Sequence, residues 1–467
     1  MRIKIYMASV ALMLCVGAAA GPLDAPKRLF LDGEYEQALP ALEALHKKSP
    51  RDGNTAYYLG ATLAAMDRGS EAVAPLKVAE GRGVADASRL LAELALEQYR
   101  PEDASAHLDR WETALRKNRK AEIPDALEEM QTRAVAMRNM MERVERVEII
   151  DSLTVDASDF FRHYRLSPGA GRLSDGAGSV DDAWLVYTPE CGREMFWTSM
   201  PDSAGSVAIM SAAILDDGTV EGVSQLKTGM EADATAFPFL MPDGVTLYFA
   251  AKGPESLGGY DIFMTRRTDD GSFLQPQNVG MPYNSPANDY MLAIDEGAGI
   301  GWWATDRNAP EGKVTIYEFV PSQMRVNVEP DAPDLAARAR ILSIAATQDP
   351  DKDYDALRRR VNELARADGT GTSAGEETRT FAIAMADGRV YTRLADFGNA
   401  EARRAMESVL GIDDEIAAIC ADLETLRDKF RNGNTSVAPR IRGLESELEK
   451  ARTRRRSAAN KVVRLER

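Results

Sequence analysis

The stretch "GTSAG", Gly371 to Gly375, matches the Gly-x-Ser-x-Gly pattern that lifts a nucleophilic serine, here Ser373, out of a tight turn. Such an elbow needs a buried strand before the serine and a helix after it, and both flanks here are polar loop, "ADGTGTSAGEE". The nucleophile reading fails on that context. His46, His107 and His163 are the chain's histidines; they fall in separate segments, and no His-Glu-x-x-His, cysteine-pair or phosphate-loop spacing accompanies them. No metal and no cofactor is therefore expected. In "DPDKDYDALRRR" the residues Asp349, Asp351, Asp353 and Asp355 alternate as in a calcium loop, but Arg360 stands where the closing bidentate Glu belongs and no Gly makes the sharp turn. Acidity ahead of a helix N-terminus accounts for that run. Trp184, Trp197, Trp302 and Trp303 could stack sugars, yet in aromatic-rich strands they are expected to be core. The reading is of a chain that is not an enzyme.

The elements that carry these residues follow from composition and periodicity. Arg2 and Lys4 precede the apolar run Ile5 to Gly17, and Ala18-Ala19-Ala20 offers a cleavage site, so residues 1–20 read as a secretory signal peptide. Leu14 before Cys15 does not fit a lipid-attachment site, and Cys15 is expected to leave with the signal. Cys191 and Cys420 then remain, far apart in sequence, so no disulfide framework is expected. The net charge of -16 disfavours nucleic acid and anionic lipid as partners.

Residues 21–120 repeat. "LFLDGEYEQALPALEALHKKSP", "TAYYLGATLAAMDRGSEAVAPLKVAEG" and "LLAELALEQYRPEDASAHLDRW" superimpose, Ala38 and Leu42 recurring as Ala72 and Leu76 and again as Ala104 and Leu108. The small-then-large order and the Leu59-Gly60 pair resemble tetratricopeptide repeats, of period about 34 residues, which stack into a concave partner-binding solenoid. Tyr57, Tyr58, Leu63 and Leu90 are the candidate lining of that groove, with core packing as the alternative for most of them. A linker helix is expected over 121–147.

From residue 148 to 325 the pattern becomes short aromatic and β-branched runs parted by Gly, Pro, Asp and Asn. "AWLVYTPECGREMFWTSM", "TLYFAAKGPESLGGYDIFMTRR" and "IGWWATDRNAPEGKVTIYEFV" align as strand, turn, strand, with Tyr187, Phe249 and Trp303 in equivalent places. In "MPDG" the Asp243 side chain caps a turn whose φ is set by Pro242 and Gly244; in "GGYDIF", Gly258, Gly259 and Tyr260 lead to Asp261, which is expected to bond backbone amides. These motifs make a shape rather than a reactive site. The stretch resembles the Tol-B-type, WD-like propeller repeat, and its pairing with tetratricopeptide repeats resembles periplasmic scaffolds associated with the outer membrane in type IX secretion and gliding machineries. Those scaffolds usually end in an OmpA-like peptidoglycan-binding domain, of which this chain shows no sequence, so peptidoglycan is not an implied partner by that route. Three clear blades, and room for a fourth, imply a small or incomplete ring.

Residues 326–400 read as helices, a loop, and a short hairpin from Phe381 to Leu394 about Asp387-Gly388. In 401–467, Val409, Ile412, Ile416, Ile419, Leu423, Leu426 and Phe430 step by threes and fours, and Ile441, Leu444, Leu448 and Ala451 resume the pattern after "RNGNTSVAPR", with Arg455 alone in an apolar slot. This predicts an antiparallel coiled-coil hairpin, closed on itself or joining copies of the chain. The expectation as a whole is a multidomain α and β protein: a tetratricopeptide-like α-solenoid, a small or incomplete β-propeller and a C-terminal helical domain. Its expected role is that of an exported, periplasmic scaffold or adaptor whose partners are outer-membrane or secretion-complex proteins. The alternative is a propeller that binds a glycan or peptide for uptake.

Overall fold

The computed structural model describes residues 21–117, 123–175, 183–190, 193–203, 205–215, 219–268, 270–322, 324–349, 354–367, 381, 383–385, 390–391, 393–431 and 434–466. The signal-peptide reading, Cys15, Cys191, Ser373, Asp351, Asp353 and the Asp387-Gly388 turn lie outside these residues. The chain divides into two compact units, residues 1–140 and 141–467.

The first unit is helical: α1 Asp24–Leu31, α2 Tyr35–Lys48, α3 Gly53–Ala65, α4 Gly69–Gly81, α5 Ala85–Glu97, α6 Pro101–Lys117 and α7 Asp125–Met141. Short turns join them; α3, for example, starts where the Asp52 carboxylate accepts the Thr55 N–H at 2.9 Å. Ala38, Ala72 and Ala104 occupy the fourth position of α2, α4 and α6, and Leu42, Leu76 and Leu108 the eighth. All six are buried. The small residue lets the partner helix approach: a Cβ on Gly60 of α3 would stand 2.5 Å from Leu76 Cγ and 3.2 Å from the Ala72 carbonyl of α4. One apolar core, from Phe30 to Leu94, runs through the stack.

The second unit is built on antiparallel sheets. Its strands are β1 Glu148–Asp156, β2 Arg172–Ser174, β3 Ala183–Thr188, β4 Glu194–Ser199, β5 Ile209–Ile214, β6 Val220–Gln225, β7 Ala234–Leu240, β8 Thr246–Lys252, β9 Asp261–Arg266, β10 Gln277–Asn278, β11 Asp289–Asp295, β12 Ile300–Thr305 and β13 Lys313–Val320. They pair in the orders β2-β3-β4-β5-β6, β10-β9-β8-β7 and β1-β13-β12-β11. The last sheet is completed from the far end of the unit, because β1 pairs along its length with β13. Both faces of the middle sheet are packed: Leu247, Phe249 and Phe263 enter a core shared with Tyr187 and Phe196, while Ile262 joins Trp303 and Tyr317 on the other side. Two-sided burial explains why these strands read as continuous apolar runs rather than strict alternations.

One alignment needs correction. Tyr187 lies in β3, whereas Phe249 and Trp303 lie in β8 and β12. Since β3, β7 and β11 each open a run of four strands paired in order, the counterpart of Phe249 and Trp303 is in β4, and the sequence alignment slipped by one strand. Aromatics occur in both β3 and β4, as in β8 and β9 and in β12 and β13, so side-chain pattern alone does not fix the frame.

Beyond β13 come α8 Leu335–Arg340, α9 Asp355–Ala367, the two-residue strands β14 Ile383–Ala384 and β15 Val390–Tyr391, α10 Ala400–Arg431 and α11 Ala438–Leu465. Residues 344–349 and 354–361 cover the edge strand β1: Gln348 Nε2 donates to the Ile149 carbonyl at 2.8 Å, the Tyr354 hydroxyl donates to Glu148 at 2.8 Å, and Leu357 and Val361 enter the sheet core. A bare edge would otherwise invite pairing with another chain. The C-terminal helices thus join the sheets in one unit instead of standing as a third domain. Helices α10 and α11 run antiparallel, with Leu423 packing among Ile441, Leu444 and Leu448 at one end and Met406 and Val409 with Ala459 and Val462 at the other.

Candidate functional site

The chemistry-bearing motif residues of the sheets are spent on architecture. Asp243 accepts the Val245 and Thr246 N–H groups at 2.8 Å each and the Thr246 hydroxyl at 2.7 Å, closing the β7–β8 turn, and Gly244 adopts φ +69°. Asp261 is fully buried at the start of β9. It accepts Leu257 N–H at 2.9 Å, Gly258 N–H at 3.3 Å and Asn278 Nδ2 at 2.7 Å. Burial, with the nearby Asp289 charge next, pushes its carboxyl up to about 7, and the three donors oppose the shift. Gly258 and Gly259 are required for space: a Cβ would meet the Ala287 carbonyl at 2.1 Å and Asn288 Oδ1 at 2.0 Å respectively.

A second layer of this knot comes from the linker "QPQNVGMPYNSPANDY", residues 275–290. Asn284 serves Ile262 twice, accepting its N–H at 2.7 Å and donating to its carbonyl at 2.8 Å. Asp289, fully buried, pairs with Arg307 at 2.6 Å and accepts the Ser285 hydroxyl at 2.7 Å. Burial raises its carboxyl and the Arg307 guanidinium pulls it back. A buried charge of this kind holds loops in one register.

At the same end of the sheets a rim of partly exposed aromatics forms. Trp184 of β3, Tyr260 before β9 and Tyr290 of β11, one from each sheet, surround the ring of Phe237 at centroid distances of 5.1, 6.4 and 5.6 Å. Phe237 itself is buried, at a β-bulge in β7 with φ +54°, a conformation that costs a non-glycine residue about 1–3 kcal/mol. The Asp306 carboxylate beside the rim accepts Asn288 Nδ2 at 2.7 Å and the Tyr290 hydroxyl at 3.2 Å. Of the four tryptophans singled out, Trp197, Trp302 and Trp303 are core and Trp184 alone joins the rim.

In the helical unit the expected groove residues divide. Leu63 and Leu90 are buried in the apolar core between helices, so the groove reading is withdrawn for these two. Both sit on the face that α3 and α5 turn to their neighbours, and apolar residues at helical spacing do not by themselves tell a lined groove from a packed seam. Tyr57 and Tyr58 are partly exposed, their rings 5.2 Å apart. The signal that sequence reasoning missed is polar: Asp86, Arg89, Glu93 and Glu97 recur on α5 at spacings of three and four, a single face. Glu93 pairs with Arg89 through one oxygen, and the other is buried without a hydrogen-bond partner. Burial, then the Glu93 and Asp67 charges, pushes Glu97 up to about 7, and burial followed by Asp86 raises the Tyr57 phenol.

His107 accounts for itself structurally, its Nδ1 lying 2.7 Å from Glu80 Oε1 between α6 and α4. Among the described residues no group of three or more His, Cys, Asp or Glu side chains is placed to hold a metal ion, and no helix is long and apolar enough to cross a membrane. No family model, no curated protein and no solved structure matches the chain.

Proposed function

We propose that the chain is a non-enzymatic scaffold of the bacterial envelope, exported to the periplasm and associated with the outer membrane, in which a tetratricopeptide-like helical array captures a partner protein and a small propeller presents a rigid second surface. The observation that carries this reading is the Tyr57–Arg89–Glu93–Glu97 face. It is a polar stripe on stacked helix pairs, with one carboxylate oxygen desolvated and without a hydrogen bond and a second carboxyl, Glu97, pushed up to about 7 by burial. Such a face fits a cationic side chain, which would satisfy the orphaned Glu93 oxygen and restore the charge of Glu97. The register-matched Ala and Leu positions of α2, α4 and α6 support the repeat reading. The packing of both faces of the middle sheet supports the blade reading.

The rim of Trp184, Tyr260 and Tyr290 with Asn288 and Asp306 favours a second reading, a propeller that takes a glycan or peptide at its mouth. Partner capture separates the two. Replacing Glu93 and Glu97 by Gln should abolish retention of the envelope partner and leave glycan-array binding untouched, whereas Trp184→Ala would do the reverse if the mouth is the functional surface.

A further inference from the structure

The hairpin α10–α11 lies across the turns at the other end of the sheets, and its contacts with them are almost wholly charged. Arg452 is the centre. Its guanidinium pairs with Glu190 of the β3–β4 turn at 2.9 Å, donates to the Gly169 carbonyl at 3.2 Å and approaches the Pro242 carbonyl of the β7–β8 turn at 3.5 Å. Arg456 pairs with Asp243 of that same turn at 3.1 Å. Arg455, the charge that interrupts the apolar seam of α11, spans Asp413 of α10 and the Glu296 carbonyl of the β11–β12 turn, the latter at 2.6 Å. Arg427 of α10 donates to the Glu190 carbonyl at 3.2 Å. Each of the three sheets therefore offers one turn to the hairpin, and each turn is met by an arginine.

Apolar packing does the opposite. Among the described residues, the clusters that hold α10 to α11 contain no residue of the three sheets, and the clusters that hold the sheets contain no residue of the hairpin. The apolar cores of the hairpin and of the three sheets are thus separate clusters. Glu190 and Arg452 are the most enclosed pair, with side chains 7% and 15% exposed, so replacing either one strands the charge of the other.

We propose that α10–α11 is a detachable cap, latched to the three turns by Arg427, Arg452, Arg455 and Arg456, and that releasing it bares an acidic receptor, Glu190, Asp243 and Glu296, for an arginine-bearing helix. This rests on contacts separate from the helical face of the proposed scaffold, and holds whether or not that face binds a partner. Cys420 reports on the latch, since its thiol lies beside Glu190 and burial, with that carboxylate, pushes it up to about 12.

The test uses the full chain, with hydrogen exchange at residues 188–190, 241–244 and 295–299 and mass-mapped alkylation of Cys420. Raising salt from ~0.05 M to ~0.5 M should speed both readouts while the amides of β7 and β11 stay protected. Arg452→Glu should produce the released state at low salt, with Cys420 alkylated at least ~10-fold faster, and adding Glu190→Arg should restore the latch. Turn amides and Cys420 that respond to neither salt nor R452E would overturn the proposal, as would loss of protection that always includes β7 and β11, or a charge swap that restores nothing.

Discussion

Gly60→Ala tests the helix stacking where two effects oppose each other. Inside an exposed helix this change gains about 1 kcal/mol, because glycine loses the most backbone freedom on folding. At Gly60 the new methyl would stand 2.5 Å from Leu76 Cγ and 2.8 Å from Leu76 Cδ2, with the Ala72 carbonyl at 3.2 Å. Leu76 is wholly buried and has nowhere to turn. Overpacking of this kind costs about 1–3 kcal/mol, leaving a net loss of ~1 kcal/mol. Hydrogen exchange of α3 and α4 amides in the full chain should then run ~5-fold faster, as local opening becomes cheaper by that amount. Gly411, in the interior of α10 with no heavy atom within 4 Å of its would-be Cβ, is the internal contrast. Gly411→Ala should slow exchange in its own helix. Pairing Gly60→Ala with Leu76→Ala should cost less than the sum of the two, because the truncation removes the clash. Slower exchange in α3 and α4 for Gly60→Ala would refute the close approach of these helices.

Other outcomes follow from the buried charges. Arg307→Ala strands Asp289 in the core and should destabilise the sheet unit by about 3–5 kcal/mol in urea unfolding. Asp261 has a folded-state pKa of about 7 against an ordinary 3.8, so the folded chain binds the extra proton between those values and stability should fall as pH rises through that window. Asp261→Asn should flatten that slope, which paired denaturation at pH ~5 and ~8 would read. Deleting residues 409–467 should leave the sheet core folded, since no sheet cluster draws on the hairpin, while changing oligomeric state or partner retention in native mass analysis. Unchanged complexes would remove the hairpin from any role in assembly.

What the sequence disclosed and what it hid divide by the range of the interaction. Ala38, Leu42 and their recurrences showed the helix pairs because the pattern repeats within one chain segment, and Asp243-Gly244 showed its turn because the bonds span three residues. The antiparallel course of α10 and α11 was legible from their stepped apolar positions. Arg455 looked like a defect in that pattern; in the structure it is a contact, pairing with Asp413 and reaching a turn of the third sheet. The closing of the last sheet by β1, the cover over its edge by Gln348 and Tyr354, and the latch at Glu190 each join residues more than a hundred positions apart, for which a single sequence carries no local sign. Leu63 and Leu90 show the converse limit. An apolar residue at helical spacing is compatible with either a groove or a packed seam, and the polar stripe from Asp86 to Glu97 looks, in sequence, like any solvated helix face.

The scaffold reading is tested most directly by cross-linking the tagged full-length protein in intact envelopes, solubilising gently, and mapping what is recovered. The account predicts envelope proteins in fixed stoichiometry, with cross-links to α3 and α5 that vanish when Glu93 and Glu97 are replaced by Gln. Recovery of the protein alone, or of partners indifferent to that replacement, would contradict it.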